Sequence, residues 1–257
     1  MRRSRVNIPV VLMMALTLSA PAPSVAGDAN ITSSTVSYLS GKDTVSAYLC
    51  VPEGTGPFPA VMVIHEWWGL NDWVRQSAGR LSAEGYITLA IDLYRGRAAG
   101  SSEEAHELMR GVPEDRAARD LSSAFAYLRG MKSVIPGKIG SVGWCMGGGY
   151  SLEAAVTIPE LSATVICYGR LVTDSAAIAG IRASMLGIFG ARDRGIPEAS
   201  VRDFEKSGRE MGKDINVTIY PRAGHAFMNP GNTDGYRKED AEDAWGRIVA
   251  FFGKRFK

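Results

Sequence analysis

A cysteine, an aspartate and a histidine in this chain have the types and the order needed for nucleophilic catalysis. Cys145 lies in the run "GWCMG" (143–147), where a serine hydrolase would carry Gly-x-Ser-x-Gly. Asp193 lies in "GARDRGIP" and His225 in "YPRAGHAF". A thiolate nucleophile needs a base, and the base needs a carboxylate that orients it. The order nucleophile, acid, histidine is the one that a widespread hydrolase architecture uses, so the three residues indicate acyl transfer.

These residues can act together only if the fold brings them to one place. Apolar runs typical of buried strands alternate with helical patterns along the chain, after an antiparallel pair within 32–51. The predicted strands are 59–65, 86–92, 138–144, 162–169, 183–190 and 215–221. The predicted helices are 71–84, 103–110, 114–129, 146–156, 197–211 and 234–256. This alternation predicts an α/β fold, with a mostly parallel sheet of about eight strands and helices on both faces.

Right-handed crossovers place the carboxyl ends of parallel strands at one edge of the sheet, where sites in such folds are built. Five polar residues lie at or just past such ends: Glu66, Asp92, Cys145, Asp193 and His225.

The turn around Cys145 should activate its sulfur. A strand that reverses directly into a helix strains the central residue, and the flanking glycines leave room for the close approach. The helix N-terminus beyond Cys145 favours a thiolate. The backbone N–H of Met146 would face an oxyanion formed beside the sulfur, and the N–H of Trp67 is the expected second donor.

Ordinary structural roles exist for each candidate. Asp193 could cap a turn, and His225 could bind loop backbone; His65 could shape a loop, and His106 lies in a charged helical stretch that water would solvate. His225 alone follows the final strand in a glycine-containing loop, where the base is expected. The agreement of residue type, order and position favours the catalytic interpretation.

The N-terminus predicts a secretory signal at 1–26 that is cleaved, leaving a single domain at 27–257. Three arginines precede an apolar stretch at 10–20 that is too short to span a bilayer, and "SVA" (24–26) is a small-x-small cleavage site. The whole chain is +2, and the signal holds three arginines and no acid, so the remainder is −1. This balance disfavours a nucleic-acid partner. The expected location is periplasmic or secreted.

Three cysteines leave at least one thiol unpaired in an oxidising compartment. Cys50 and Cys167 have the context of small apolar residues on strands. The sequence predicts no metal and no organic cofactor, because no His/Cys/carboxylate cluster has ligand spacing and "GWCMGGG" lacks the Lys-Ser/Thr of a phosphate loop.

Over residues 45–252 the chain resembles the dienelactone hydrolase (carboxymethylenebutenolidase) family, of the α/β-hydrolase fold. The resemblance rests on "HEWWGLNDWVR", "GYITLAIDLYRGR", "GSVGWCMGGGY", "GARDRGIP" and "AGHAF". It implies that Cys145 is the nucleophile, His225 the base and Asp193 its orienter. It further implies that Glu66 holds Cys145 as a neutral thiol in the empty site and takes the thiol proton when substrate binds, because two adjacent negative charges are unfavourable.

The same resemblance implies two arginines that grip a substrate carboxylate. Arg95 or Arg97 is expected to supply one of them. Asn229 lies where the other is expected, and a neutral amide does not replace a bidentate guanidinium, so carboxylate-bearing dienelactones are disfavoured as substrates. Tyr94 and Phe227, with Trp67, Trp68 and Trp73, suggest an aromatic-lined mouth, although tryptophans in such loops also serve as core.

The sequence therefore predicts a hydrolase that cleaves a small ester or lactone through an acyl-cysteine intermediate. One alternative is a non-catalytic small-molecule-binding protein on a hydrolase scaffold. A thiol redox protein is disfavoured because Cys-x-x-Cys is absent from the sequence. No membrane span is expected after signal cleavage, and the oligomeric state stays open, with a monomer compatible.

Overall fold

The computed structural model describes residues 31–256, so the predicted signal at 1–26 and the domain start at 27 lie outside the described residues. The strands are β1 (Ile31–Ser40), β2 (Asp43–Pro52), β3 (Phe58–Ile64), β4 (Ile87–Ile91), β5 (Val134–Trp144), β6 (Ala163–Cys167), β7 (Ser184–Gly190) and β8 (Ile215–Tyr220). They form one sheet in the order β1-β2-β4-β3-β5-β6-β7-β8. β2 runs antiparallel to β1 and β4, and the other pairs are parallel.

Helices flank this sheet on both faces, and the predicted α/β architecture of about eight strands is confirmed. The helices are α1 (Asp72–Ala83), α2 (Ser102–Arg110), α3 (Glu114–Gly130), α4 (Met146–Thr157), α5 (Ser175–Gly180), α6 (Glu198–Glu210) and α7 (Lys238–Phe256). None of the helices within residues 31–256 has the length and apolar character needed to cross a membrane.

Two helices differ from the sequence prediction. α5 was not predicted, because a segment of six residues is too short to display a helical period. α7 begins at Lys238 rather than at 234, since the residues before it close a turn in which Gly235 and Tyr236 donate their backbone N–H groups to the carbonyl of Asn232.

Strand β5 shows how the sequence builds the layers, because alternate side chains of a strand point to opposite faces. On one face Trp144 packs against Trp73 of α1 and Trp245 of α7, at ring-centroid distances of 5.2 and 5.7 Å. On the other face the Ser141 hydroxyl lies 2.8 Å from that of Ser151 in α4 and 3.0 Å from that of Thr164 in β6. These buried hydroxyls satisfy one another and fix α4 against the sheet.

Candidate active site

Cys145 lies in a sharp turn between β5 and α4. Its backbone is at φ 54° and ψ −118°, a conformation that non-glycine residues rarely adopt. A Cβ on Gly143 would lie 2.0 Å from the carbonyl oxygen of Gly147, and a Cβ on Gly147 would lie 2.2 Å from that of Ile64. The N–H of Cys145 donates to the carbonyl of Cys167 at 3.0 Å. The flanking glycines are therefore required by close main-chain contacts, and the turn is anchored to β6.

Asp193 and His225 form a hydrogen-bonded pair. Nδ1 of His225 lies 2.7 Å from Oδ2 of Asp193, which is 5% exposed. The other carboxylate oxygen accepts the backbone N–H groups of Gly195 (2.8 Å) and Ile196 (3.1 Å). Burial acts to raise the pKa of Asp193, but these hydrogen bonds and the charge of His225 outweigh it and lower that pKa. The carboxylate is thus fixed in its charged form and orients the imidazole.

The imidazole of His225 interacts with both Asp193 and Cys145. Burial disfavours its protonated form, but the hydrogen bond to Asp193 and the interaction with Cys145 prevail and raise the pKa of His225 to about 10. The Tyr168 ring packs edge-on against the imidazole, with centroids 5.3 Å apart. The structure thus brings the three sequence-predicted residues, from three separate strand ends, to one place.

Cys145 and His225 open into a cavity of about 750 Å³. One wall is apolar and aromatic, and another is formed by the polar loop that follows His225. The apolar wall contains Trp67, Trp68, Met109, Met146 and Tyr150, and the polar loop contributes Asn229, Gly231, Asn232 and Thr233. Glu66 also lines the cavity, and Glu114, Glu153 and Arg170 lie farther along it. Carboxylates therefore outnumber the arginine in this cavity.

The backbone N–H groups of Met146 and Trp67 are available to a ligand. Both residues line the cavity that holds Cys145. Across residues 31–256, neither N–H takes part in a hydrogen bond. Two free donors beside a thiol can stabilise a negatively charged oxygen that forms there.

Glu66 is a buried carboxyl group in the same cavity, 2% exposed. Its Oε2 accepts a hydrogen bond from Nδ2 of Asn229 at 2.5 Å. Burial raises the pKa of Glu66 to about 7, although Asn229, His225 and Tyr168 each act to lower it. The group therefore exchanges its proton near neutral pH, as a residue that both accepts and returns a proton requires.

The raised pKa of Glu66 makes a stability prediction for Glu66→Gln. The ordinary pKa is 4.5 and the folded value about 7, so the folded state binds more protons between these limits and loses stability as pH rises through them. Since each tenfold change in proton affinity is about 1.4 kcal/mol, the neutral variant should be more stable than wild type by up to about 3 kcal/mol at pH 8. Near pH 4 the gain should disappear. Urea unfolding at both pH values measures this, and a gain independent of pH would contradict the assignment.

The two arginines expected to bind substrate do not line the cavity. Arg95, at φ 57°, turns towards α3 and pairs with the buried carboxylate of Asp120 at 2.8 Å. Arg97 is exposed and pairs with Glu104 at 3.4 Å. Neither guanidinium lines the cavity in this structure, and the binding of substrate by Arg95 or Arg97 stays a prediction.

Tyr94 and Phe227 support the cavity without lining it. The Tyr94 hydroxyl donates to the carbonyl of Trp67 at 3.0 Å and contacts the sulfur of Met146 at 3.3 Å. Phe227 is fully buried and packs against Tyr168 and Tyr220. Both residues are buried and neither lines the cavity, so their direct contact with substrate stays a prediction.

The remaining histidines and Asp92 are structural. His65 is buried, and its ring joins the carbonyl of Glu66 (2.6 Å) to the N–H of Leu93 (3.2 Å), so it shapes the loop after β3. Asp92 accepts the N–H of Tyr94 at 2.9 Å. His106 is exposed and packs edge-on against Trp67, with centroids 4.6 Å apart.

Tyr168 is the residue of this site that the sequence prediction missed. It follows β6 directly, at φ 38°, and its fully buried hydroxyl has no hydrogen-bond partner within residues 31–256. Burial raises the pKa of Tyr168 well above its usual value, and the neighbouring Glu66, Cys167 and Cys145 raise it further. The sequence placed Tyr168 inside the predicted strand 162–169, whereas β6 ends at Cys167, so its position past a strand end became visible only in the structure.

Cys50, Cys145 and Cys167 are all free thiols, and the first and last are buried. Within residues 31–256 no group of three His, Cys, Asp or Glu side chains is arranged to hold a metal ion.

Comparison with known proteins places this chain in a family. The model of the dienelactone hydrolase family matches residues 45–256. A candidate carboxymethylenebutenolidase of Methylorubrum extorquens is 32% identical over 81% of this chain and 76% of its own length. A second, from Saccharolobus solfataricus, is 31% identical over 83% of this chain and 95% of its own. The crystal structure of a candidate dienelactone hydrolase from Klebsiella pneumoniae superposes with a TM-score of 0.80 at 28% identity, covering 87% of this chain and 98% of that one. The chain belongs to the dienelactone hydrolase family of hydrolases.

Proposed function

We propose that the protein hydrolyses a carboxylic ester or lactone through an acyl-cysteine intermediate on Cys145. The observation that carries this proposal is the strained turn that presents Cys145 to the cavity beside the His225–Asp193 pair. The family membership supports the reaction class. The predicted signal at 1–26 makes the proposal one for an exported enzyme.

The first half of the reaction transfers the acyl group to sulfur. Glu66 takes the thiol proton, and the sulfur of Cys145 attacks the substrate carbonyl. The resulting oxyanion is stabilised by the N–H groups of Met146 and Trp67. When the carbon–oxygen bond breaks, the leaving alkoxide takes a proton from the imidazolium of His225, whose raised pKa keeps it protonated at neutral pH.

The second half hydrolyses the thioester. His225, now neutral and oriented by Asp193, accepts a proton from water as the oxygen attacks the acyl carbon. The carbon–sulfur bond breaks, the carboxylic acid leaves, and Cys145 recovers its proton from Glu66. Each group returns to its starting protonation state, so no cofactor is consumed.

The cavity supports a substrate larger than a simple lactone. A volume of about 750 Å³ is in the range of sites that hold drug-sized ligands. Its apolar wall of Trp67, Trp68, Met109, Met146 and Tyr150 suits a bulky apolar group, and neither Arg95 nor Arg97 lines it to pair with an anionic one.

A panel of p-nitrophenyl esters and lactones tests this substrate class. We expect kcat/KM to rise by about tenfold from acetate to hexanoate, because each buried methylene contributes about 0.8 kcal/mol at most and part of the chain stays solvated. Carboxylate-bearing dienelactones should be turned over at least about tenfold more slowly than neutral lactones of the same size. Equal rates for short and long esters would contradict the size argument alone. Binding without turnover of any member would favour a non-catalytic binding protein.

A further inference from the structure

We propose that Asn229 is a positioning residue for Glu66: it engages one carboxyl oxygen and leaves the other to exchange the proton of Cys145. This inference rests on the proposed function, since it concerns how that site is regulated. It assigns Asn229 to the proton-transfer apparatus rather than to a contact with substrate. It also means that the site is ready without an anionic group on the substrate.

The amide of Asn229 is fixed by bonds at both ends. Nδ2 donates to Oε2 of Glu66 at 2.5 Å, and Oδ1 accepts the N–H of Gly231 at 2.8 Å. A flipped amide would set its oxygen against the carboxylate and its NH₂ group against an N–H. Asn229 is buried, so losing either bond would leave a poorly hydrated polar group. The donor that faces Glu66 is therefore defined by the loop that carries His225.

This bond distinguishes the two oxygens of Glu66. Oε2 is occupied by Asn229, whereas Oε1 is buried and has no hydrogen-bond partner within the described part of the chain. The buried hydroxyl of Tyr168 is a neighbour of both Glu66 and Cys145, and it acts to lower the pKa of Glu66. Oε1 lacks the amide donor that stabilises charge on Oε2, so it is the more basic of the two oxygens. The proton that leaves the sulfur goes to Oε1.

A neutral amide also sets how strongly Glu66 holds that proton. An arginine at this position would pair with the carboxylate and lower its proton affinity. Asn229 supplies one hydrogen bond and no net charge, so burial dominates and the pKa of Glu66 stays near 7. One N–H of Asn229 is engaged by Glu66, and its amide carries no charge with which to pair an anionic substrate.

The test is the pH dependence of acylation, measured as the stopped-flow burst of p-nitrophenolate from p-nitrophenyl butyrate. In wild type the burst rate should rise with pH through the titration of Glu66. Asn229→Leu removes the donor and should move this rise upward by about one pH unit, since a hydrogen bond to a charged group contributes about that much. Asn229→Asp keeps an acceptor for the N–H of Gly231 but places a like charge beside Glu66. It should therefore move the rise in burst rate to still higher pH.

Asn232→Leu is the matched control in the same loop. The side chain of Asn232 donates to the carbonyls of His225 (3.1 Å) and Ala226 (3.2 Å) and has no bond to Glu66. This variant tests a merely structural role, which would lower the rate without moving the pH profile. Thermal unfolding establishes which variants are folded. An unmoved profile in folded Asn229→Leu and folded Asn229→Asp would overturn the inference.

Glu66→Gln separates this inference from the proposed function. If the rise with pH persists in Glu66→Gln, Glu66 is not the group that takes the thiol proton, and that part of the proposed function fails. If the rise disappears in Glu66→Gln but is unmoved by both Asn229 variants, only the role of Asn229 fails. The inference is supported when the rise with pH disappears in Glu66→Gln and moves to higher pH in the two Asn229 variants.

Discussion

Cys145→Ala is expected to lower kcat for p-nitrophenyl butyrate by at least about 10⁴-fold, because removal of a nucleophile leaves only the stabilisation given by binding and the oxyanion donors. The side chain of Cys145 is part-exposed in the cavity, so its loss should leave the global stability nearly unchanged. Steady-state hydrolysis and thermal unfolding of the purified variant measure the two quantities.

Cys50→Ala is the control for this prediction. Cys50 is also a free thiol, but it is buried in β2 and does not line the cavity. Its truncation should reduce stability modestly through loss of packing and leave kcat within about twofold of wild type. Retention of most activity by Cys145→Ala would refute an acyl-cysteine mechanism.

His225→Ala should trap the acyl-enzyme rather than abolish the first step. In the proposed mechanism Glu66 removes the thiol proton, so a good leaving group such as p-nitrophenolate can depart without His225. Deacylation requires a base for water, and its rate should fall by about 10³-fold or more. We therefore expect one stoichiometric burst of p-nitrophenolate followed by very slow turnover, with an acyl group on Cys145 in the mass spectrum of the intact protein.

Two further variants are controls for the origin of the burst. Cys145→Ala/His225→Ala should show no burst and no mass increase. Asp193→Asn leaves the imidazole in place but replaces its charged orienter, so it should slow deacylation while the burst is retained. Loss of the burst in His225→Ala would mean that the histidine, and not Glu66, activates the sulfur.

The position of the candidate site could be predicted because it depends on local sequence. The periodic apolar runs define the strands, and the crossover rule then places the ends of β5, β7 and β8 at one edge. Cys145, Asp193 and His225 each follow one of these ends. Glycines at 143 and 147 predict a tight turn in the sequence. In the structure, a side chain at either position would clash with the main chain.

The other features of the site depend on contacts between segments that are distant in sequence, and no local sequence pattern predicts such contacts. Arg95 follows the expected motif, but Asp120, on a helix 25 residues later, draws the guanidinium away from the cavity. Asn229 lies 163 residues from Glu66, and only the fold makes them neighbours. Tyr168 has the pattern of a strand residue, and only the fold places it next to His225 and Glu66.

The main-chain contacts of Gly143 and Gly147 fix the position of residue 145 whatever its side chain is. Both contacts join backbone to backbone and do not involve the side chain of residue 145. A serine hydroxyl would therefore fit at position 145 without any change of the turn, whereas a methyl group on either glycine would clash with the main chain. We therefore expect related proteins to vary at position 145 more readily than at the two glycines.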